Sequence, residues 1–177
     1  MGAYYYLGAQ LPYLIYGQNA PMSSVAFREL AQQEMSSSEA AVLDYCTLDV
    51  EHTRTPSKFV NKWKEWELAL RLNLAKNRAL KLKRESGAPA APSDPTEAVN
   101  AAREALAFES PLEAEIFLDK ARWDAIESFQ GYNIFNENAI YAYMLKLLLM
   151  ERRTAFNTEE GFTEYKGLYA AILGESK

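Results

Sequence analysis

One all-α domain of about seven helices, organised around a long helix near residues 56–85, is the architecture this sequence predicts. Three observations carry it. The run from Pro56 to Glu85 contains no Gly or Pro after its first residue. Ser, Thr, Asp or Asn stands repeatedly just ahead of apolar runs with helical period, as an N-cap does. After residue 16 no segment alternates as a half-buried strand would.

The long helix comes first because it also holds the charge. Thr55 is placed to cap it, with Pro56 at the first helical position, where a missing N–H costs nothing. At about 100° per residue, Phe59, Trp63, Trp66 and Leu70 fall on one face. Leu68, Leu72, Ala75, Ala79 and Leu82 fall nearly opposite. A helix whose apolar stripe changes sides is expected to bury its halves against different neighbours. A bend near Asn73, or two helices, is the alternative. Lys64, Arg71 and Arg78 recur every seven residues and form a basic line between the stripes. From Pro56 to Ser86 nine Lys/Arg face three Asp/Glu, a net of +6 in a chain of −5, so the remainder carries −11. Such asymmetry implies either internal pairing or an acidic partner. The internal candidates are Glu104, Glu113 and Glu115. The overall sign disfavours nucleic acid.

Residues 3–16 are apolar and aromatic, and periodicity does not separate a strand from a short buried helix there. Gly17 to Pro21 reads as a loop. Ser23 or Ser24 caps a helix to about Met35, with Val25, Phe27, Leu30 and Ala31 inward. Ser36 and Glu39 form a capping box ahead of Val42, Leu43 and Tyr45. Residues 47–55 are a polar connection. Residues 86–94, rich in Pro, Ala and Ser, are expected to form a mobile internal loop. Asp94-Pro95-Thr96-Glu97 restarts helix to about Phe108, and Ser110-Pro111-Leu112-Glu113 starts another to about Phe129, stopped by Gly131. Asn136 or Asn138 caps an apolar helix to about Phe156. Its Ala139–Met150 stretch is too short to span about 30 Å of hydrocarbon. Thr158 caps a last helix ending at Gly174. The whole chain of 177 residues reads as one domain.

Chemistry is harder to find. Cys46 is the only cysteine, so neither a disulfide framework nor a thiolate metal cluster is expected. His52 is the only histidine and lies in the polar connection. A Cys46–His52 pair has no orienting third group and is discounted. No phosphate-binding glycine motif occurs. Asp119 and Arg122, three apart on a helix, read as ordinary surface pairing. The start has no basic region, so no secretory signal is expected, and Tyr6 breaks the myristoylation pattern. The chain is therefore expected to be no enzyme and to hold no metal or cofactor.

The opening then acquires meaning. Tyr4 to Leu14 runs Y-x-Y-L-x-A-x-L-P-x-L, followed by a capped helix at Phe27 and Leu30, then Ser36-x-x-Glu39 and Val42-Leu43-x-Tyr45. This order resembles the start of the C-type subunit of V/A-type rotary ATPases, whose eukaryotic counterpart is the d-type subunit. Nearly the whole chain resembles a small bacterial family similar to that subunit and associated with V-type ATPase genes. The likeness rests on Phe59-x3-Trp63-x2-Trp66-Glu67-x2-Leu70-Arg71, Asn77-Arg78-Ala79, Pro111 to Glu115, Asp119-x2-Arg122-Trp123, Tyr141-x4-Lys146-Leu147 and Glu151-Arg152. The C-type subunit is considerably longer, so this chain supplies only part of its funnel of helices. The resemblance implies a non-catalytic, all-helical subunit or accessory that couples the central stalk to the membrane ring. It also implies a cytoplasmic place, held at the inner membrane, if at all, through protein contacts and without direct insertion. The resemblance supplies no contact residue; the shared line and the +6 concentration make Lys64, Arg71 and Arg78 the candidate partner-binding residues. A free-standing helical adaptor is the alternative.

Overall fold

The computed structural model describes residues 4–51, 53–83, 87 and 93–155. Among these lie seven α-helices and no strand. They are α1 (Tyr5–Gln10), α2 (Ser24–Glu34), α3 (Ser37–Ala40), α4 (Lys58–Lys81), α5 (Thr96–Glu104), α6 (Pro111–Gln130) and α7 (Glu137–Ala155). Short 3-10 turns at Ala41–Tyr45 and Ala105–Ala107 extend α3 and α5. Of the opening, which periodicity leaves open between strand and helix, Tyr5–Gln10 is helical and residues 11–16 are neither helix nor strand. The helix expected from Thr158, and the 86–94 loop apart from Gly87, Ser93 and Asp94, lie outside the described residues.

Short-range chemistry sets most helix starts. Ser23, Ser36 and Ser110 each accept the N–H three residues on, from Ala26, Glu39 and Glu113. Asn136 Oδ1 accepts the N–H of Ala139 at 3.0 Å. Each such cap is worth about 1 kcal/mol. Gly131, at φ +72°, ends α6 in a conformation that a side chain would strain.

Two expected caps are corrected. The cap of α4 is Ser57, which accepts the Val60 N–H at 3.3 Å. Thr55 stands outside the helix, because Asn61 holds it: Thr55 N–H donates to Asn61 Oδ1, and Asn61 Nδ2 donates to the Thr55 carbonyl, both at 2.8 Å. Asp94 does not cap α5. Its carboxylate, two residues ahead of α5, accepts from Asn73 Nδ2 of α4 at 2.8 Å, a long-range bond in place of the local one.

α4 is one continuous helix that packs against α5, α6 and α7. Its buried stripe runs Phe59, Trp63, Trp66, Leu70 and on to Leu74, with Val60 and Ala69 beside it. The expected change of sides is therefore also corrected. Leu68, Leu72 and Ala79 are half-buried, and Ala75 and Leu82 are exposed. The neighbour of α4 is the face of α5 formed by Ala98, Ala101, Ala102 and Ala105, spaced i, i+3, i+4, i+7. Side chains this small let the two helices approach closely. Elsewhere Phe27 and Ala31 of α2 are buried, while Val25, expected inward, is exposed.

α7 closes the core with Ile140, Tyr141, Ala142, Met144, Leu145, Leu147, Leu149 and Met150. Its tyrosines fasten the N-terminal segment. Tyr141 Oη donates to the Glu39 carbonyl at 3.1 Å, and Tyr143 Oη to the Pro12 carbonyl at 2.9 Å. Glu151 accepts from both the N–H and the hydroxyl of Ser24, at 2.6 and 2.7 Å, placing a carboxylate on the positive end of α2. No helix among the described residues is long and apolar enough to cross a membrane.

Candidate functional site

The basic line does not lie free along α4. Lys64 is 8% exposed and donates to Thr53 Oγ1 at 2.9 Å. Arg71 donates through Nε to Glu67 at 2.9 Å, through Nη1 to Asp49 at 2.7 Å and through Nη2 to the Leu48 carbonyl at 2.6 Å. Trp63, one turn before Glu67, donates its indole N–H to the Thr47 carbonyl at 3.1 Å. Together these bonds lash the 47–55 connection to α4. The line's partners are thus on this connection and on α4 itself, and not at Glu104, Glu113 or Glu115, the last of which faces Arg122 and Arg152. Arg78 is the exception: it is exposed and makes no ion pair among the described residues.

Beneath Arg71 lies a buried ionic network that helical spacing alone does not reveal. Glu67 is 1% exposed and takes Arg122 of α6 on both oxygens, from Nε at 2.9 Å and Nη2 at 3.2 Å. Arg122 Nη1 reaches Asp119 at 3.2 Å and Glu115 at 3.6 Å. Arg152 of α7 bonds the same Asp119 and approaches Glu115 at 3.4 Å. Asp119 and Arg122 are therefore not surface support: each is buried. The signal for the network is present in α4. Glu67 shares a face with Trp63, Leu70 and Leu74, and a carboxylate inside an apolar stripe requires a cation from elsewhere.

Burial pushes the Asp119 carboxyl above its usual range, against the pull of Arg152 and Arg122. Burial also opposes the charge on Arg122, but Glu67, Glu115 and Asp119 outweigh it and hold the guanidinium's pKa up. The network links three helices with alternating charge. It contains no histidine and no nucleophile, and all of its acids face arginine.

Cys46 is 1% exposed, and burial pushes its thiol up to about 12. A nucleophilic cysteine needs the opposite shift. His52 lies outside the described residues. The thiol has a measurable consequence. Its folded pKa is raised from 9.0, so its stabilising contribution is whole below that value and is lost as pH rises toward about 12. Between pH ~9 and ~10.5 this one proton tilts stability downward by up to about 1.4 kcal/mol per pH unit. Denaturant unfolding of wild type and Cys46→Ala across that range is expected to show the shallower slope in the variant. Equal slopes would remove the buried-thiol argument.

Among the described residues no group of three His, Cys, Asp or Glu is placed to hold a metal ion. The C-terminal part of α4 and the two residues after it offer a different surface. Lys76, Arg78, Lys81 and Lys83 are exposed there, and Leu80 and Leu82 between them are 63% and 65% exposed. Compared with family models, curated proteins and solved structures, the chain matches none.

Proposed function

We propose that the protein is a non-catalytic subunit or accessory of a bacterial V-type ATPase, a helical piece that helps couple the central stalk to the membrane ring. The motif resemblance from Tyr4 to Arg152 supports the assignment. The observation that carries a partner-binding role is the exposed end of α4 and the two residues after it, where Lys76, Arg78, Lys81 and Lys83 alternate along the chain with the exposed Leu80 and Leu82. Exposed apolar side chains interspersed with one sign of charge suit a complementary acidic surface, since the leucines supply burial and the cations steer the encounter. Arg71 is ion-paired within the molecule and Lys64 is buried, so the contact moves from the whole basic line to its Arg78 end.

The test is a pull-down of the tagged protein from its native membranes, with wild type and a Lys76→Glu/Arg78→Glu variant. Other ATPase components are expected in the wild-type eluate and strongly depleted in the variant's. Raising salt is expected to weaken recovery, because exposed charges are screened beyond about 8–10 Å near physiological ionic strength. A wild-type eluate without ATPase components would overturn the assignment, and one holding other proteins in their place would favour the adaptor. Equal recovery by the folded variant would remove α4 from the contact.

A further inference from the structure

We infer that the cavity between α4 and the 47–55 connection binds the carboxylate of a small monoanionic molecule, with Lys64 as its counter-ion. This site is independent of the partner surface at Arg78. The cavity has a volume of about 450 Å³ and is lined by Glu51, Thr53, Arg54, Asn61, Lys64, Glu65, Leu68 and Ser93. Pockets of this size hold small ligands.

The carrying observation is the state of Lys64. Its residue is more than nine-tenths buried, and among the described residues no carboxylate lies within ion-pair distance of its ammonium. It has the Thr53 hydroxyl at 2.9 Å and the face of the Tyr45 ring at 5.6 Å. Every other strongly buried charge among the described residues is paired: Glu67 and Asp119 with arginines, Arg122 with both. A buried ammonium satisfied by one neutral oxygen keeps two donors and a full charge for a ligand. Lys64 lines the cavity, so an anion there completes what the chain leaves open.

The rest of the wall selects the ligand. Arg54 adds a second cation, but Glu51 and Glu65 bring two negative charges. A doubly charged phosphate gains at Lys64 and is repelled by both acids. A single carboxylate meets the cation at the smallest such cost. Leu68 lies one turn beyond Lys64 on α4 and offers an apolar wall for a short tail. Ser93 and the spare valences of Asn61 can bond a polar substituent.

The experiment is isothermal titration of the full chain with acetate, butyrate, hexanoate and inorganic phosphate at fixed ionic strength. Saturable binding is expected for the carboxylates, tighter for butyrate than for acetate, and weaker for phosphate. Lys64→Met is expected to lose about tenfold or more in affinity. Glu65→Gln, on the solvent side of α4, is expected to gain a few-fold and keeps the test open if the first variant does not fold. Absence of saturable carboxylate binding by wild type up to about 50 mM would overturn the proposal. Phosphate binding tighter than butyrate would do the same, as would unchanged affinity in folded Lys64→Met or in Glu65→Gln.

Discussion

Replacing Glu67 by Ala is expected to destabilise the protein by about 3–5 kcal/mol, the range for stripping one partner from a buried ion pair. The loss follows from what remains. Arg122, 5% exposed, keeps Asp119 at 3.2 Å but loses both oxygens that take its Nε and Nη2. A guanidinium desolvated to that extent and half-paired costs more than the missing hydrogen bonds alone. For a chain of this size each kcal/mol moves the thermal midpoint by about 2–4 °C, so a drop on the order of 10 °C is expected. Arg71→Ala removes the network's outer member, whose partner Asp49 is almost fully solvent-exposed. Screening leaves the Asp49 pair at about 0–1 kcal/mol, and the variant also takes one bond from buried Glu67 and one from the Leu48 carbonyl. Glu67 keeps Arg122 on both oxygens, so a loss clearly smaller than that of Glu67→Ala is expected and is the internal control. The decisive variant is Glu67→Leu with Arg122→Leu. Removing both charges leaves Asp119 and Glu115 with Arg152, and the double change is expected to cost less than Glu67→Ala. Denaturant melts of the variants read all of this. A Glu67→Ala loss under about 1 kcal/mol would mean that solvent reaches the pair.

The network also marks where sequence reasoning runs out. Helix starts at Ser23, Ser36, Ser110 and Asn136 are legible because a cap is decided within four residues of chain. At the start of α4 the same reasoning misplaces the cap. Thr55-Pro56-Ser57 offers two cap residues around one proline, and the choice is made by Asn61, whose amide pairs with Thr55. At Asp94 a good local cap loses to Asn73, twenty-one positions away. The Asp119–Arg122 pair is visible as spacing, but its burial depends on Glu67, fifty-five positions before Arg122. The same holds for the basic line. A seven-residue period places Lys64, Arg71 and Arg78 in register, and only tertiary structure shows that the first two are turned to the 47–55 connection. Periodicity gives a direction on a helix and says nothing of what stands there.

Trp63→Ala is expected to cost about 3–5 kcal/mol, as truncation of a fully buried aromatic does. Its ring is 0% exposed and stacks on Trp66 with centroids 6.1 Å apart. Two effects are combined in that figure, and Trp63→Phe separates them. Phenylalanine keeps much of the ring volume but leaves the Thr47 carbonyl without the indole N–H that meets it at 3.1 Å. An unsatisfied part-buried acceptor is worth about 1–3 kcal/mol, so the Phe variant should fall between wild type and Ala. The two should also differ in where they loosen. In Trp63→Phe the core of α4 stays filled, and the loss is confined to one of the bonds that tie the 47–55 connection to the helix. Limited proteolysis is expected to cut that variant within 47–55 faster than wild type, while protection of the α4 and α7 amides from hydrogen exchange is retained. Trp63→Ala is expected to lose protection in both places, because the cavity opens beneath the connection and inside the core together. Equal cleavage of wild type and Trp63→Phe would show that Arg71 and Lys64 hold the connection without the indole.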